Sequence, residues 1–473
     1  MRALEARGPT SDTMIVLLSG LLLLAPQVVT PTVPAASNTN PAFGGVPTGT
    51  ATPGPLPLSL ADAIDRALQS NLALVLADQG VRNARGLRLE ALGDVLPHLN
   101  GRMSAVREKI NLEAFGFTGF PGIPSVIVGP FNVYDSRVYV SDTLDLKGLY
   151  KVEAEGHRVQ AARWTYQDAR QVAVLVAANL YLRALSDQSR IETRRAELET
   201  ARALRQRAAD RKAAGTAPGI DVLRADVEMS SREQRVIAAE NQFERSKLDL
   251  ARAIGLPLGQ QLQLSDPMPT LNLPVLTPEE ALARAYANRA DWKAAQARVE
   301  AAEASRRSAL GEALPGLSLD ADYGAIGATF GGARSTYTLG AALRVPLFQG
   351  GRVAGKVLQA DATLQSARAT LEDLRGRVDY DVRVALLDLE SARKRRAVAE
   401  TALGLAREQL QQAQDRFDAG VANNIDVVQA QQAVATAEED LIASTYEVNL
   451  GWAFLGRALG MAEQGFRQFI RGE

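Results

Sequence analysis

The sequence has no cysteine and only two histidines, His98 and His157, among its 473 residues. Without cysteine there can be no disulfide, thiolate metal site, cysteine nucleophile or lipid anchor on an N-terminal cysteine. Two histidines so far apart argue against a histidine-rich metal centre and against a serine–histidine catalytic centre. We therefore expect a protein that is not an enzyme and that holds no metal or cofactor.

The sequence also has no excess of charge of one sign, because it contains 53 basic and 54 acidic residues. A nucleic-acid binder needs a basic surface to neutralise phosphates, so no nucleic-acid partner is expected. After the N-terminal region, no stretch has eighteen uninterrupted apolar residues. The mature chain is therefore predicted to have no transmembrane helix.

The first 35 residues have the pattern of a secretory signal peptide. Two arginines precede an apolar run at Met14–Ala25 that is too short to span a bilayer, and small residues follow at Val33–Ala35. Residues 36–57, rich in Pro, Thr and Gly, are interpreted as an extended linker. An exported protein without a transmembrane helix is periplasmic, secreted or a β-barrel of an outer membrane.

The rest of the chain repeats itself. "LSLADAIDRALQSN" begins at Leu58, and the similar "LTPEEALARAYANR" begins 218 residues later at Leu276. "AAGTAPGIDVLRA" begins at Ala213, and "DAGVANNIDVVQA" begins 205 residues later at Asp418. Copies of this length are far longer than a solenoid repeat, so they indicate the duplication of a half-molecule.

We place the first structural repeat at residues 58–275, the second at 276–460 and a C-terminal tail at 461–473. Each repeat is predicted to begin with one helix of nearly forty residues that ends at a proline. Two strands, a very long helix and a return helix follow in that order.

The predicted strands show alternating apolar and polar residues. In the second repeat they cover residues 317–325 and 337–347, and in the first repeat roughly 97–108 and 131–146. A period of two gives each strand one apolar face and one polar face. About ten residues is the length of a tilted membrane-spanning strand, but a half-buried strand of a soluble sandwich has the same pattern.

The longest predicted helix has no proline from Arg352 to Asp418. Apolar and small residues recur at spacings of three and four from Val378 to Phe417, interrupted only by Arg396. At a rise of about 1.5 Å per residue this helix would be about 100 Å long. A rod of this length must pack beside other rods in a coiled coil or a tube.

A glycine-rich segment before this helix resembles a phosphate-binding loop, since Gly350 is followed by Gly355 and Lys356. "VALLD", which ends at Asp388, even resembles the magnesium-binding strand of such proteins. However, Val357 stands where the loop needs Ser or Thr, and "VALLD" lies inside the helical stripe. The matching segment of the first repeat, "DTLDLKGLY", has no glycine pair.

We therefore interpret this segment as a sharp strand-to-helix junction formed by Pro346, Phe348, Gly350 and Gly351. Glycine permits the unusual backbone angles that such a change of path requires.

Three motifs together resemble the outer-membrane efflux family, the TolC-like channels. They are the junction "VPLFQGGR", the turn "RFDAGVANNIDVVQA" and its copy "RKAAGTAPGIDVLRA". Their order and double occurrence extend the resemblance from Leu58 to about Met461.

Four strands are too few to close a membrane barrel, for which about eight are needed. Since an open sheet in lipid leaves its edges unsatisfied, the chain must oligomerise, with eight strands from two copies or twelve from three. The resemblance implies the trimer. The expected fold is mainly α with a membrane β-barrel of twelve strands, continued by a barrel of long antiparallel helices.

The resemblance also implies a function as the passive exit duct of a tripartite efflux or type I secretion system. A homotrimer in the outer membrane would extend into the periplasm and meet a periplasmic adaptor protein and an inner-membrane pump. The sequence does not decide the substrate. An exported periplasmic coiled-coil structural or adaptor protein is the alternative, which explains the helices but not the strands.

The resemblance places both Ala-Gly turns at the periplasmic end of the tube. The implied adaptor-contact tip consists of Gly215, Thr216, Ala217, Gly420, Val421 and Ala422. The implied pore constriction consists of Asp221 and Asp426, with Gln429 where some members have a second carboxylate and Ala422 where they have an arginine. Six carboxylates in a trimer would favour cations, although a first-turn aspartate can also simply stabilise its helix.

Overall fold

The computed structural model describes residues 40–117, 126–216, 218–269, 276–419, 421 and 424–465. The predicted signal peptide and most of the predicted C-terminal tail lie outside these residues. The described chain is mainly helical, with an antiparallel sheet of four strands. The predicted mainly α, internally duplicated chain with long antiparallel helices is thereby confirmed.

The first repeat contains β1 (Leu56–Leu58), α1 (Leu60–Ser70), α2 (Leu72–Gly93), β2 (His98–Asn111), β3 (Ile127–Leu144), α3 (Leu146–Ala213) and α4 (Gly219–Ala253). The connection and the second repeat contain β4 (Leu262–Leu264), α5 (Pro278–Asn288), α6 (Ala290–Gly311), β5 (Gly316–Gly327), β6 (Arg334–Arg344), α7 (Arg352–Asp418) and α8 (Asn424–Ala458). Short 3₁₀ helices lie at Pro41–Phe43, Leu112–Phe115 and Phe330–Gly332.

The prediction of one forty-residue helix at the start of each repeat is wrong, because each is broken after its third turn. At Asn71 the backbone is extended, with φ −64° and ψ 132°. The Asn71 amide donates to the carbonyls of Ala42 and Ala253, 2.8 and 3.3 Å away. In the second repeat the break falls at Arg289, whose guanidinium binds Asp291 and Asp381. At each break one of these partners, Ala253 or Asp381, is far along the chain and helps to hold the extended backbone.

Each break is also the docking point of a glycine that ends the return helix of the same repeat. Gly255 has φ +68°, and a Cβ added there would lie 2.5 Å from Cβ of Ser70. Gly460 has φ +72°, and its Cβ would lie 2.6 Å from the backbone N of Arg289. Both the backbone angle and the close approach therefore require glycine. The return helix of each repeat closes onto the start of that repeat.

The larger sheet has the strand order β2-β3-β5-β6, with every pair antiparallel. Its register aligns the predicted apolar residues across the strands, pairing Tyr323 with Tyr337 and Val140 with Ala321. Most of the apolar residues therefore share one face, and the other face is mainly polar, although Val106, Val133 and Tyr139 also lie on it. Among the described residues, β2 and β6 each have only one neighbouring strand, so the sheet is not closed within one chain.

A second, smaller sheet pairs β1 with β4 in parallel and was not predicted. The Tyr181 hydroxyl lies 2.9 Å from the Leu58 carbonyl and 3.2 Å from a carboxylate oxygen of Asp266. Burial raises the pKa of this hydroxyl. In the segment before β1, interpreted as a linker, Ala42 is buried and residues 43–45 are half-buried, while residues 46–55 are exposed. These contacts join both ends of the first repeat at mid-length of the long helices.

The apolar stripe predicted on α7 is confirmed as the face that packs against its neighbours. It is buried at Val378, Val382, Ala385, Leu389, Ala392, Ala399, Leu403 and Ala406, and half-buried at Leu410, Ala413 and Phe417. Leu389 packs in one cluster with Leu455 of α8, and Leu403 packs in another with Ala437. The small residues let α7 and α8 lie side by side as an antiparallel pair.

We expect Gly255→Ala and Gly460→Ala each to lower the free energy of unfolding by about 1–3 kcal/mol, because alanine is strained at positive φ. Thermal unfolding of the purified protein, followed by circular dichroism, measures the effect. Gly259→Ala is the matched control, since a Cβ added at Gly259 meets no heavy atom within 4 Å. Equal unfolding midpoints for all three variants would contradict the docking role.

Candidate functional site

The strand-to-helix junction turns on two glycines with left-handed backbones. Gly350 has φ +58° and Gly351 has φ +80°, and a Cβ added to either would meet no heavy atom within 4 Å. The backbone angle, and not a lack of space, therefore makes glycine suitable here. Gly351 directly precedes α7, and Leu347 and Phe348 just before it are 93% and 90% exposed. The junction thus redirects the chain from the sheet into the long helix.

Lys356, which gave the junction its resemblance to a phosphate-binding loop, binds a carboxylate. Its Nζ lies 2.6 Å from Oε2 of Glu312, and a guanidinium nitrogen of Arg352 lies 3.1 Å from Oε1. The Glu312 side chain is only 8% exposed. The hydrogen bond from Lys356 lowers the pKa of Glu312, and charges of Lys147, Lys356 and Arg352 add to this effect. The lysine is therefore part of an ion-pair cluster at the end of α6.

The first repeat has the same ion pair at the matching place. Nζ of Lys151 lies 2.6 Å from Oδ2 of Asp94, and this bond lowers the pKa of Asp94. Asp94 and Glu312 are 218 residues apart, and Lys151 and Lys356 are 205 apart, the same displacements that relate the repeats. Each pair joins the end of a short helix to the second turn of a long one. The sequence analysis missed this pair, although the displacements would have found it.

The polar face of the larger sheet carries an ion-pair group around Arg137 of β3. Its guanidinium lies 2.8 Å from Asp135 on the same strand and 3.2 Å from Asp322 on β5. Gly324 makes room for this side chain, since a Cβ there would lie 2.5 Å from Cγ of Arg137. This polar face is suited to contact with water.

The turn between α3 and α4 forms one part of the predicted tip. Gly215 has φ +71°, and the backbone N and hydroxyl of Thr216 both donate to the carbonyl of Arg211. The guanidinium of Arg211 also lies 4.2 Å from the ring centroid of Phe417, at the end of α7. This cation–π contact brings the two turn regions of one chain together. Val421 is 69% exposed, while Ala217, Gly420 and Ala422 lie outside the described residues.

The predicted constriction residues lie at the first turns of α4 and α8. Asp221 is 3.6 Å from the guanidinium of Arg224, and Asp426 is exposed. Side chains from the starts of both helices line one groove of about 360 Å³, namely Ile220, Leu223, Arg224, Val227, Glu228, Ile425, Val428 and Gln429. The structure therefore brings Gln429 beside α4 and sets the two helix starts next to each other.

A ladder of polar contacts, not predicted from the sequence, joins α3, α4 and α8 above the tip. The buried Asp187 accepts from Ser246 at 2.6 Å and from Arg190 at 2.7 Å. Arg190 also binds Glu439 of α8 at 2.7 Å. Further contacts continue toward the tip through Arg194, Glu197, Arg232 and Gln432. The ladder ties the first-repeat hairpin to the return helix of the second.

None of the helices among the described residues has an apolar stretch long enough to cross a membrane. In the same part of the chain, no group of three or more His, Asp or Glu residues is arranged to hold a metal ion.

The outer membrane efflux protein family matches residues 63–256 and 281–461, and the chain belongs to this family. The pyoverdine export outer membrane protein OpmQ of Pseudomonas aeruginosa is 27% identical over 431 residues, covering 86% of this chain and 85% of OpmQ. The alkaline protease secretion protein AprF of the same species is 25% identical, covering 71% of this chain and 72% of AprF.

Among solved structures, the outer membrane protein VceC of Vibrio cholerae has the same fold. Its TM-score is 0.72 at 22% identity, covering 85% of this chain and 96% of VceC. The class expected from the sequence, an outer-membrane channel of efflux and secretion systems, is confirmed by the family. The roles expected for individual tip residues stay predictions.

We expect Glu312→Gln to lower the free energy of unfolding by about 1–2 kcal/mol near neutral pH, because it removes the charge that Lys356 and Arg352 bind. A carboxylate whose folded-state pKa is lowered stabilises the fold above its unfolded-state pKa. This contribution disappears as the pH falls through the lower, folded-state pKa. The difference from the unmodified protein should therefore vanish in acid.

Thermal unfolding from about pH 7 to about pH 3 tests this dependence. Glu372→Gln is the control, because Glu372 is 70% exposed and its nearest guanidinium nitrogen is 3.9 Å away. A pH-independent loss of stability in Glu312→Gln would show that packing, and not charge, is responsible.

Proposed function

We propose that three copies of this chain assemble into one channel that serves as the passive exit duct of an efflux or secretion system. The observation that carries the proposal is the open sheet, which has one apolar face and one polar face. Among the described residues, both edge strands have free edges, and the apolar face is uncovered, with Leu339 82% exposed and Tyr337 76% exposed. A wall of twelve strands would satisfy the edges and put this face in lipid.

The polar face would then line the passage, with the Arg137 group in contact with water. The helices all attach at one end of the sheet, so they would continue the passage as a tube on the periplasmic side. The ladder around Asp187 and the stripe of α7 hold each chain's helices in pairs within this tube. Nothing in this arrangement needs a fuel, so the driving energy would come from an inner-membrane pump.

The tip would meet a periplasmic adaptor protein. This part of the proposal is supported by the exposed Val421, by the apolar groove between α4 and α8, and by the chain's membership of the outer membrane efflux protein family. The relatives' names cover both pyoverdine export and protease secretion. The relatives' names therefore favour neither cargo.

Reconstitution of the purified protein tests the assembly. We expect native mass spectrometry to find three chains, and planar bilayers containing the protein to conduct ions. An exported coiled-coil protein, the alternative function, would be released from cells without detergent and would not conduct. Either of these results would overturn the proposal.

We expect Asp221→Asn combined with Asp426→Asn to reduce the preference of the channel for cations. Six carboxylates close to one axis attract cations and repel anions, and the double variant removes all six. The ratio of cation to anion permeability, taken from reversal potentials in a salt gradient, should fall toward one.

Asp210→Asn is the matched control, because Asp210 lies on α3 near the same turn and binds Gln206. An unchanged permeability ratio in the double variant would mean that these aspartates only stabilise their helix starts.

A further inference from the structure

A pocket lies on the apolar face of the larger sheet, toward the hairpin end that is remote from the helices. Its volume is about 370 Å³, and its lining is mainly apolar, with Met103, Ala105, Tyr134, Ala325 and Phe330, although Ser104, Asp135 and Ser136 also contribute to it. These residues come from β2, β3 and β5 and from the turn after β5. The volume lies in the range of about 300–1,000 Å³ that is typical of small-molecule sites.

One wall of the pocket is an aromatic clamp. Phe330, in the turn between β5 and β6, folds back against Tyr134, with ring centroids 6.0 Å apart and an edge-to-face angle of 73°. Phe330 is still 75% exposed, so most of its surface is not covered by other residues of the chain. A large exposed aromatic ring beside an apolar pocket is suited to an apolar ligand.

Two basic residues lie beyond the pocket on β2, toward the hairpin end of the sheet. Arg107 lies two residues after Ala105 on β2, so it is on the same face and about 7 Å further along the strand. Lys109 follows, and both side chains are exposed. Neither forms an ion pair with a carboxylate within the described ranges. Two cationic side chains therefore follow the pocket on the strand that forms one of its walls.

We propose that this pocket binds an acyl chain of a phosphorylated glycolipid of the outer leaflet, with Arg107 and Lys109 holding a phosphate. This inference rests on the proposed function, which puts the apolar face in lipid and the hairpin end at the cell exterior. Neighbouring copies would pair with the edges of the sheet through backbone groups, which leaves this face uncovered. The cationic side chains of the protein match the phosphate of such a lipid, and the apolar pocket matches its acyl chain.

Native mass spectrometry of delipidated trimer tests the site, with added hexa-acylated, bisphosphorylated lipid A or with phosphatidylglycerol. We expect lipid A to be retained more than phosphatidylglycerol. Arg107→Gln and Phe330→Ala should each lower the retained lipid A about fivefold at subsaturating concentration.

Two matched controls address charge and aromatic area. Arg102→Gln removes an arginine from the opposite face of the same strand, and Tyr337→Ala removes an exposed aromatic ring from the same face outside the pocket. Both should retain lipid A like the unmodified protein. Equal retention in all variants, or equal retention of both lipids, would overturn the inference. If the unmodified protein gives no trimer in the same spectra, the proposed function itself fails.

Discussion

Unpaired backbone groups along a strand cannot face hydrocarbon, because each N–H and C=O without a partner there costs several kcal/mol. The larger sheet has such groups on both of its outer strands, and it also exposes a continuous apolar face. In water, a single chain would leave the apolar face exposed to solvent. In a closed wall of strands within a membrane, the apolar face contacts lipid and the backbone groups of the outer strands are paired. The sheet therefore demands copies of the chain, and the long helices give those copies a second surface along which to associate.

The chain must also change direction where the sheet meets each long helix. The structure solves this twice, with a carboxylate at the end of a short helix and a lysine in the second turn of a long one. In the second repeat the lysine follows a glycine pair with left-handed backbone angles. A sequence close to a nucleotide-binding motif thus arises from two unrelated needs, a sharp bend and an ion pair. Glu312, and not a phosphate, is the partner of Lys356.

Local periodicity was enough to predict the elements that depend on it. The alternation around Tyr323 and Tyr337 predicts two strands and their common face, and the stripe from Val378 predicts the packing face of α7. The helix breaks were not predictable, because they depend on contacts between distant residues, such as Asn71 with Ala253. The strands β1 and β4 are three residues long, which is too short for an alternating pattern to identify a strand. The contact of Arg137 with Asp322 requires a register that no single strand specifies.

The tip was predicted from the family resemblance, and the residue pattern itself gave little physical basis for that prediction. Its apolar groove and the contact of Arg211 with Phe417 were not visible in the sequence pattern, because they join turns about two hundred residues apart. Asp221 and Asp426 occupy positions that serve equally well to stabilise a helix start or to charge a pore. A role in the pore depends on the distances between copies of the chain.

The docking of Gly255 and Gly460 has a consequence for symmetry. Each glycine closes its own repeat, so one chain presents two similar units. Three such chains would surround their axis with six nearly equivalent units, alternating between two chemical versions. A partner assembly with sixfold symmetry about this axis would contact two chemically different kinds of binding position. A partner assembly with threefold symmetry would contact only one of the two kinds.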